Sequence, residues 1–303
     1  MKTLFLLVSL ALCPFLISWA DAPPTHPVTV PMGDETFTLS KPPTRIVSTV
    51  LGADEILLDL VDSDRIVALS QFADDPKYSN IVGKATPVKQ RLGPSVERVV
   101  FLQPDLVFIA AYSTPDFIHL MGRSGVPAYQ FPLPGSIEDI RDMIRNVGDL
   151  VGEATRARRI VLEMDQRIAE IGQRLEGVDR PSVVPYSYGY AAGSETIIGE
   201  IVELAGGINL AAERGVRGHQ RLPTERLLVW DPDFLLIEGP KAARTKGERL
   251  LATETILAHL RAVREGQVIE VPTPHLSTVS HHIVKGIEDT ARLLHPDRFP
   301  EQE

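Results

Sequence analysis

The chain has 303 residues, enough for two domains of ordinary size or one large one, and its apolar (44%) and charged (23%) fractions exclude a disordered chain. A net charge of −9 with no basic run argues against nucleic acid as a partner. The single cysteine, Cys13, falls inside the first twenty residues, so a chain that loses them has no thiol nucleophile, disulfide or cysteine-held metal.

Those twenty residues read as a secretory signal. Lys2 is followed by the apolar run "LFLLVSLALCPFLI", with small residues at Ser18 and Ala20, and cleavage is expected after Ala20. The run is short for a membrane anchor. Leu12 is bulky where lipoprotein processing at Cys13 wants a small residue. Residues 21–44 form a proline-rich lead-in and a hairpin, "VTVPMGDETFTL", turning at "GDE".

From Arg45 strand and helix patterns alternate. "RIVST" reads as a strand, "ADEILLDLV" as a helix with Ile56, Leu57 and Leu60 on one face, and "RIVALS" as a strand. Ser95 caps a short helix ahead of the strand "LVFIAA"; "FIHLMGRSG" is a helix and "VPAYQF" a strand. Ile137, Ile140, Ile144, Val147 and Val151 mark one helix. Ala157, Val161, Met164, Ile168, Ile171 and Leu175 mark a second, over 153–176, about 36 Å long. The alternation then restarts over 177–303: "SVVPYSYGY" as strand and loop, "ETIIGEIVELAGG" as a helix stopped by paired glycines, "FLLIEG" as strand, "ILAHLRAV" as helix, "QVIEV" as strand, and "SHHIVKGIEDTARLL" as the last helix. Such alternation predicts parallel sheets covered by helices, in lobes of 45–152 and 177–303 joined by 153–176.

One phrase occurs twice. "VERVVFLQPDLVF" and "TERLLVWDPDFLL" place Glu97 with Glu225, Pro104 with Pro232 and Asp105 with Asp233. A glutamate in the first turn of a helix interacts favourably with the macrodipole, by roughly 0.3–1 kcal/mol, and that alone explains either residue.

These phrases, with "RIVST…GADEILLDLV…RIVALS" and "IVELAGGINL", resemble the ABC-transporter periplasmic substrate-binding proteins for iron chelates, haem and vitamin B12, from roughly Arg45 to Pro300. The resemblance implies two Rossmann-like α/β lobes joined by a single long α-helix, the class III periplasmic binding protein fold, with the ligand between them. It implies a monomer in the periplasm that performs no catalysis, carries no cofactor of its own, captures a corrinoid or ferric chelate, and delivers it to the permease dimer of an ABC importer. Glu97 and Glu225 stand where that family docks on permease arginines. Each such contact has a Coulomb energy of about 4 kcal/mol before desolvation and ordering remove most of it, so the pair contributes orientation more than affinity.

Ligands of open α/β sheets lie beyond the carboxyl ends of the strands. That rule selects Phe72, Tyr112, Tyr186, Tyr188 and Tyr190, whose rings suit a flat macrocycle. Phe72, Tyr190 and His219 match aromatic positions of the vitamin B12 binders, whereas their cleft tryptophans have no counterpart and Trp230 reads as core. Ser194 opens a helix whose N–H groups face a polar ligand edge, and it lacks an assignable base. His275 is a further cleft candidate. His281 and His282, adjacent on a helix, are expected to point apart and to chelate poorly, so no metal site is assigned. No G-x-S-x-G, Walker or H-E-x-x-H motif is present.

Overall fold

Residues 26–251 and 255–300 are described by the computed structural model; the expected signal peptide and its cleavage after Ala20 lie outside them. The chain enters through an antiparallel hairpin, β1 (Val28–Met32) and β2 (Glu35–Leu39), turning at Gly33–Asp34 where the sequence places its turn. The hairpin is held by Tyr129, whose hydroxyl donates to the Pro31 carbonyl at 3.2 Å and whose ring meets Phe37 edge-on.

The first sheet follows. Its elements are β3 (Ile46–Ser48), α1 (Leu51–Leu60), β4 (Ile66–Ser70), β5 (Gln90–Leu92), α2 (Val96–Phe101), β6 (Leu106–Ala110), α3 (Pro115–Arg123), β7 (Ala128–Phe131) and α4 (Ile137–Val151). The strand order is β5-β4-β3-β6-β7, all parallel. The apolar runs of β3 and β6 are buried throughout, as a sheet covered on both faces requires. Helix α4 shows how closely local sequence dictates an element. Ser136 and Asp139 make a reciprocal capping box, Ile137, Ile140, Ile144, Val147 and Val151 form the buried stripe, and Gly152 ends the helix at φ 78°.

Helix α5 (Ala154–Arg174) comes next. Its 21 residues make about 32 Å, slightly less than the periodicity predicts. It does not stand alone: α4 crosses it so closely that a Cβ on Gly148 would sit 2.3 Å from the Ala157 Cβ.

The second sheet comprises β8 (Ser182–Ser187), β9 (Tyr190–Ala192), α6 (Ile197–Leu204), β10 (Ile208–Asn209), α7 (Leu210–Glu213), β11 (His219–Arg221), α8 (Thr224–Trp230), β12 (Phe234–Gly239), β13 (Ala243–Thr245), α9 (Glu248–Leu251), α10 (Arg261–Arg264), β14 (Val268–Pro272), α11 (Thr273–Leu276) and α12 (Val284–Leu294). Strands β8, β12 and β14 run parallel at its centre, with β10 beside β8; β9 and β11 extend one side and β13 the other, all antiparallel. The segment read as one helix, "ILAHLRAV", is a 3-10 turn over Thr255–His259 and the separate α10. Leu260 breaks it by taking an extended conformation (ψ 138°), with both Leu257 and Leu260 buried and the Arg261 N–H turned to Asp231.

Three apolar clusters hold these layers. One covers the outer face of the first sheet against α2 and α3, and one the outer face of the second. The third is continuous across both halves: Ile56, Leu57 and Phe108 share it with Ile160, Val161 and Met164 of α5 and with Ile269, Ile287 and Ala291. At about 25 cal/mol per Å2, the burial of such side chains contributes roughly 1.5–3 kcal/mol each, and a core shared in this way resists separation of the halves.

Candidate functional site

A cavity of about 560 Å3 opens where the first sheet meets the second. The carboxyl ends of β8 and β12 form its floor through Pro185, Tyr186 and Leu236–Glu238. Tyr190 and His219 come from β9 and β11, and Glu195–Ile198 from the start of α6. Leu133–Gly135, just after β7, are the contribution of the first half. The segment Leu276–Val279 closes the remaining side. The volume and the mainly apolar lining, with a few polar groups, suit a small organic ligand.

Local chemistry explains why these residues meet. Strands β8 and β9 are joined by Tyr188 (φ 48°) and Gly189 (φ 81°), two successive positive-φ residues of the kind a tight two-residue hairpin needs. Glycine takes this conformation freely; tyrosine does not, so the tip carries strain of about 1 kcal/mol while presenting a ring that is 85% exposed. At Gly193 a Cβ would lie 2.0 Å from the Val216 carbonyl oxygen, so only glycine lets the two loops approach. The Ser194 N–H and hydroxyl both donate to that same carbonyl, at 3.0 and 3.3 Å. Glu195 (φ 63°) pairs with Arg217 at the cavity edge.

The segment that closes the cavity is gripped by the first half. Glu55 of α1, 1% exposed, accepts hydrogen bonds from the hydroxyls of Thr278 and Ser280, both at 2.5 Å, and from the backbone and side-chain N–H groups of Asn80. Asn80 donates onward to the Pro274 carbonyl and accepts from Lys285. Glu200 of α6 accepts from the Ile137 N–H at 2.7 Å, so the two halves are bonded on both flanks of the cavity. Beside Glu55, Asp54 is fully buried. Burial raises its carboxyl pKa to about 7 against the opposing hydrogen bonds of Ser48 and Ser70.

The residues selected from sequence fall into groups. Tyr190 and His219 line the cavity, with Tyr186 behind them. Tyr188 borders a second cavity of about 460 Å3, which shares Tyr186 and extends to Thr224 and Glu225. Phe72 and Tyr112, 44% and 62% exposed, do not line the first cavity. Phe72 packs edge-on against Tyr78, over which Lys77 sits at 5.0 Å. Tyr78 first, and Tyr188 more weakly, raise the Lys77 pKa, which brings this aromatic group and the hairpin tip into one electrostatic neighbourhood. Ser194 is spent on the 216–219 loop, as its bonds to Val216 show. His275 does not line the cavity; its Nδ1 is 2.7 Å from Asp289 and ties α11 to α12. Trp230 packs partly buried against the outer core of the second sheet. His281 and His282 do not diverge as adjacent helical residues would. In the 3-10 turn His281–Ile283 their rings lie 4.2 Å apart beside Asp59. Leu133–Gly135, Glu238 and Leu276–Val279 went unselected. The strand-end rule could have found Glu238, which stands next to the end of β12 and accepts from Ser277 at 2.5 Å.

The twin phrases adopt one conformation. Gln103 (φ 48°) and Asp231 (φ 41°) hold the same left-handed turn before buried Pro104 and Pro232. Asp105 accepts from the N–H groups of Thr44 and Arg45, at the entry to β3; Asp233 accepts from the Ser182 N–H and hydroxyl, at the start of β8. Each aspartate therefore staples its strand to the parallel neighbour. Burial opposes the charge at both, but these hydrogen bonds outweigh it and hold both carboxyls below the usual range. Glu97 and Glu225 are exposed, and four residues on from each stands an exposed apolar side chain, Phe101 at 84% and Val229 at 82%.

Comparison with known proteins agrees with this architecture. The profile of the family described as "Periplasmic binding protein" matches residues 46–274. A cobalamin-binding protein of Halobacterium salinarum is 30% identical over 285 residues, covering 91% of this chain and 76% of the relative. An uncharacterized ABC transporter substrate-binding lipoprotein of Bacillus subtilis is 23% identical over 286 residues, covering 91% and 88%. Among solved structures, the periplasmic heme-binding protein of Roseiflexus sp. RS-1 superposes with a TM-score of 0.69 at 22% identity, over 84% of this chain and 98% of that one.

Proposed function

Because the chain belongs to the periplasmic binding protein family, we propose that it is an exported solute-binding protein, taking a flat corrinoid or ferric chelate into the cleft and handing it to an ABC importer. The observation that carries this reading is the cavity at the carboxyl ends of β8 and β12, walled by Tyr186, Tyr190 and His219 and capped from the first half by Leu133–Gly135. A macrocycle larger than the cavity would seat one edge there. Its faces would then extend toward Tyr188, Phe72 and Tyr112, all exposed. A corrinoid is favoured over haem or a siderophore because the most similar of the relatives above is a cobalamin binder.

The lobes are 45–152 and 177–303, with 153–176 as connector. The shared core and the Glu55 and Glu200 bonds support a closure of a few degrees at most. The exposed faces of α2 and α8 are the docking points: Glu97 and Glu225 pair with permease arginines while Phe101 and Val229 bury apolar area beside them. Among the described residues no helix is long and apolar enough to cross a membrane, in keeping with an extracytoplasmic protein.

A visible absorption titration of the purified protein against cyanocobalamin, haemin and ferric siderophores tests the reading. A saturable shift with cyanocobalamin is expected, weakened by Tyr190→Ala. No shift with any of the three would overturn it.

A further inference from the structure

Away from the cavity, α1 meets the turn that begins α12. Asp59 of α1 and the neighbours His281 and His282 come together there, and one donor atom from each lies within 4.8 Å of the other two. The His281 Nε2 is 3.1 Å from the Asp59 Oδ2. Two ligands on a tetrahedral zinc ion, each about 2.1 Å from it, stand about 3.4 Å apart, so this pair is already near ligand spacing. The two imidazole rings lie 4.2 Å apart between centroids, tilted by 41°. The His281 Nδ1 and the His282 Nε2 are both buried without a hydrogen-bond partner. A buried imidazole nitrogen without a partner loses solvation and gains nothing, and that cost calls for an explanation.

The orphan His282 Nε2 is free to meet an ion, whereas His281 would bind through the Nε2 that faces Asp59, its Nδ1 lying on the other edge of the ring. We propose that Asp59, His281 and His282 form a binding site for a divalent transition-metal ion of the zinc class, joining α1 to the turn before α12. Two imidazole nitrogens and one carboxylate oxygen select zinc, cobalt, nickel or copper over magnesium and calcium, which prefer all-oxygen shells. The third ligand atom is brought in by rotation of the His282 ring, and a water completes the tetrahedron. Lys84 is the opposing group: its ammonium lies 2.6 Å from the Asp59 Oδ1, leaving Oδ2 for the ion while weakening attraction to it. This site is independent of the ligand assigned to the cleft.

Calorimetric titration of chelator-stripped protein with zinc chloride, and with magnesium chloride as the comparison cation, tests the proposal. The expected result is binding of one zinc and no magnesium. His282→Ala should weaken zinc at least about tenfold, Lys84→Met should tighten it, and His119→Ala, an exposed histidine elsewhere, should leave it unchanged. Zinc should also raise the thermal unfolding midpoint of the parent protein and not that of His282→Ala, because an ion held only by the folded state stabilises it by mass action. His281→Gln is the second variant if His282→Ala lowers the metal-free midpoint. Failure to bind zinc, or zinc binding that survives in both histidine variants, would overturn the proposal.

Discussion

The segments around α2 and α8 are built alike and placed differently. Both run through an exposed glutamate, a buried residue at Val99 or Leu227, an exposed apolar residue, a left-handed turn and a buried proline, and both end in an aspartate that staples the neighbouring strand. They differ at their ends. Ser95 caps α2 and its hydroxyl donates to Glu97 at 3.0 Å, whereas α8 starts from Pro223, which offers no side-chain cap. More telling is location: Glu225 borders the cavity it shares with Tyr186 and Tyr188, while Glu97 lines neither cavity. The repeated features are those that both halves need, for strand registry and for an outward surface. The second half lines most of the first cavity, so on the function proposed above ligand capture falls mainly to it.

That division can be attacked at several points. The largest expected effect is on folding: Glu55→Ala leaves the donors of Thr278, Ser280 and Asn80 facing a buried void, and a loss of about 3 kcal/mol or more in urea unfolding is expected. Asp105→Ala and Asp233→Ala should each cost roughly 1–2 kcal/mol, and nearly equally if the two staples are equivalent. A loss at one position alone would break the parallel. In ligand titrations, Tyr190→Ala and His219→Ala should weaken affinity about tenfold, and Phe72→Ala and Tyr112→Ala by less; the reverse order would move the site to the first half.

A separate test is a pH slope belonging to the first half. Folding raises the Asp54 pKa from 3.8 to about 7, so across that window the folded chain keeps a proton that the unfolded chain has lost. Stability contributed by this group is therefore complete below pH 3.8 and declines as pH rises toward 7. Asp54→Asn should flatten the dependence of the unfolding midpoint on pH in that range; an unchanged slope would assign it to other groups.

Much of the fold was legible because its signals are local. The stripe of α4, the capping box at Ser136 and the glycines after α6 report themselves in a few residues, and α5 reads from its periodicity alone. The short strands β9, β11 and β13 did not. Each has three residues, and β11, His219–Arg221, is exposed at every position, so no alternation exists to be read. The cavity was half legible for a related reason. Tyr190 stands out as an aromatic residue after a strand and His219 through the family resemblance, but Leu133, Ile197, Leu276 and Val279 are indistinguishable in sequence from core residues. Tertiary folding across more than a hundred residues is what turns them toward one space. His275 carried the opposite error: a histidine near a strand end proved to be a helix tie through Asp289.

The outward glutamates, Glu97 and Glu225, are where the proposed delivery role is most exposed to test. Uptake of the ligand by cells, measured beside solution affinity for the double variant Glu97→Ala with Glu225→Ala, separates capture from delivery. Lost uptake with unchanged affinity is the predicted result; uptake that persists at the parental rate would contradict it.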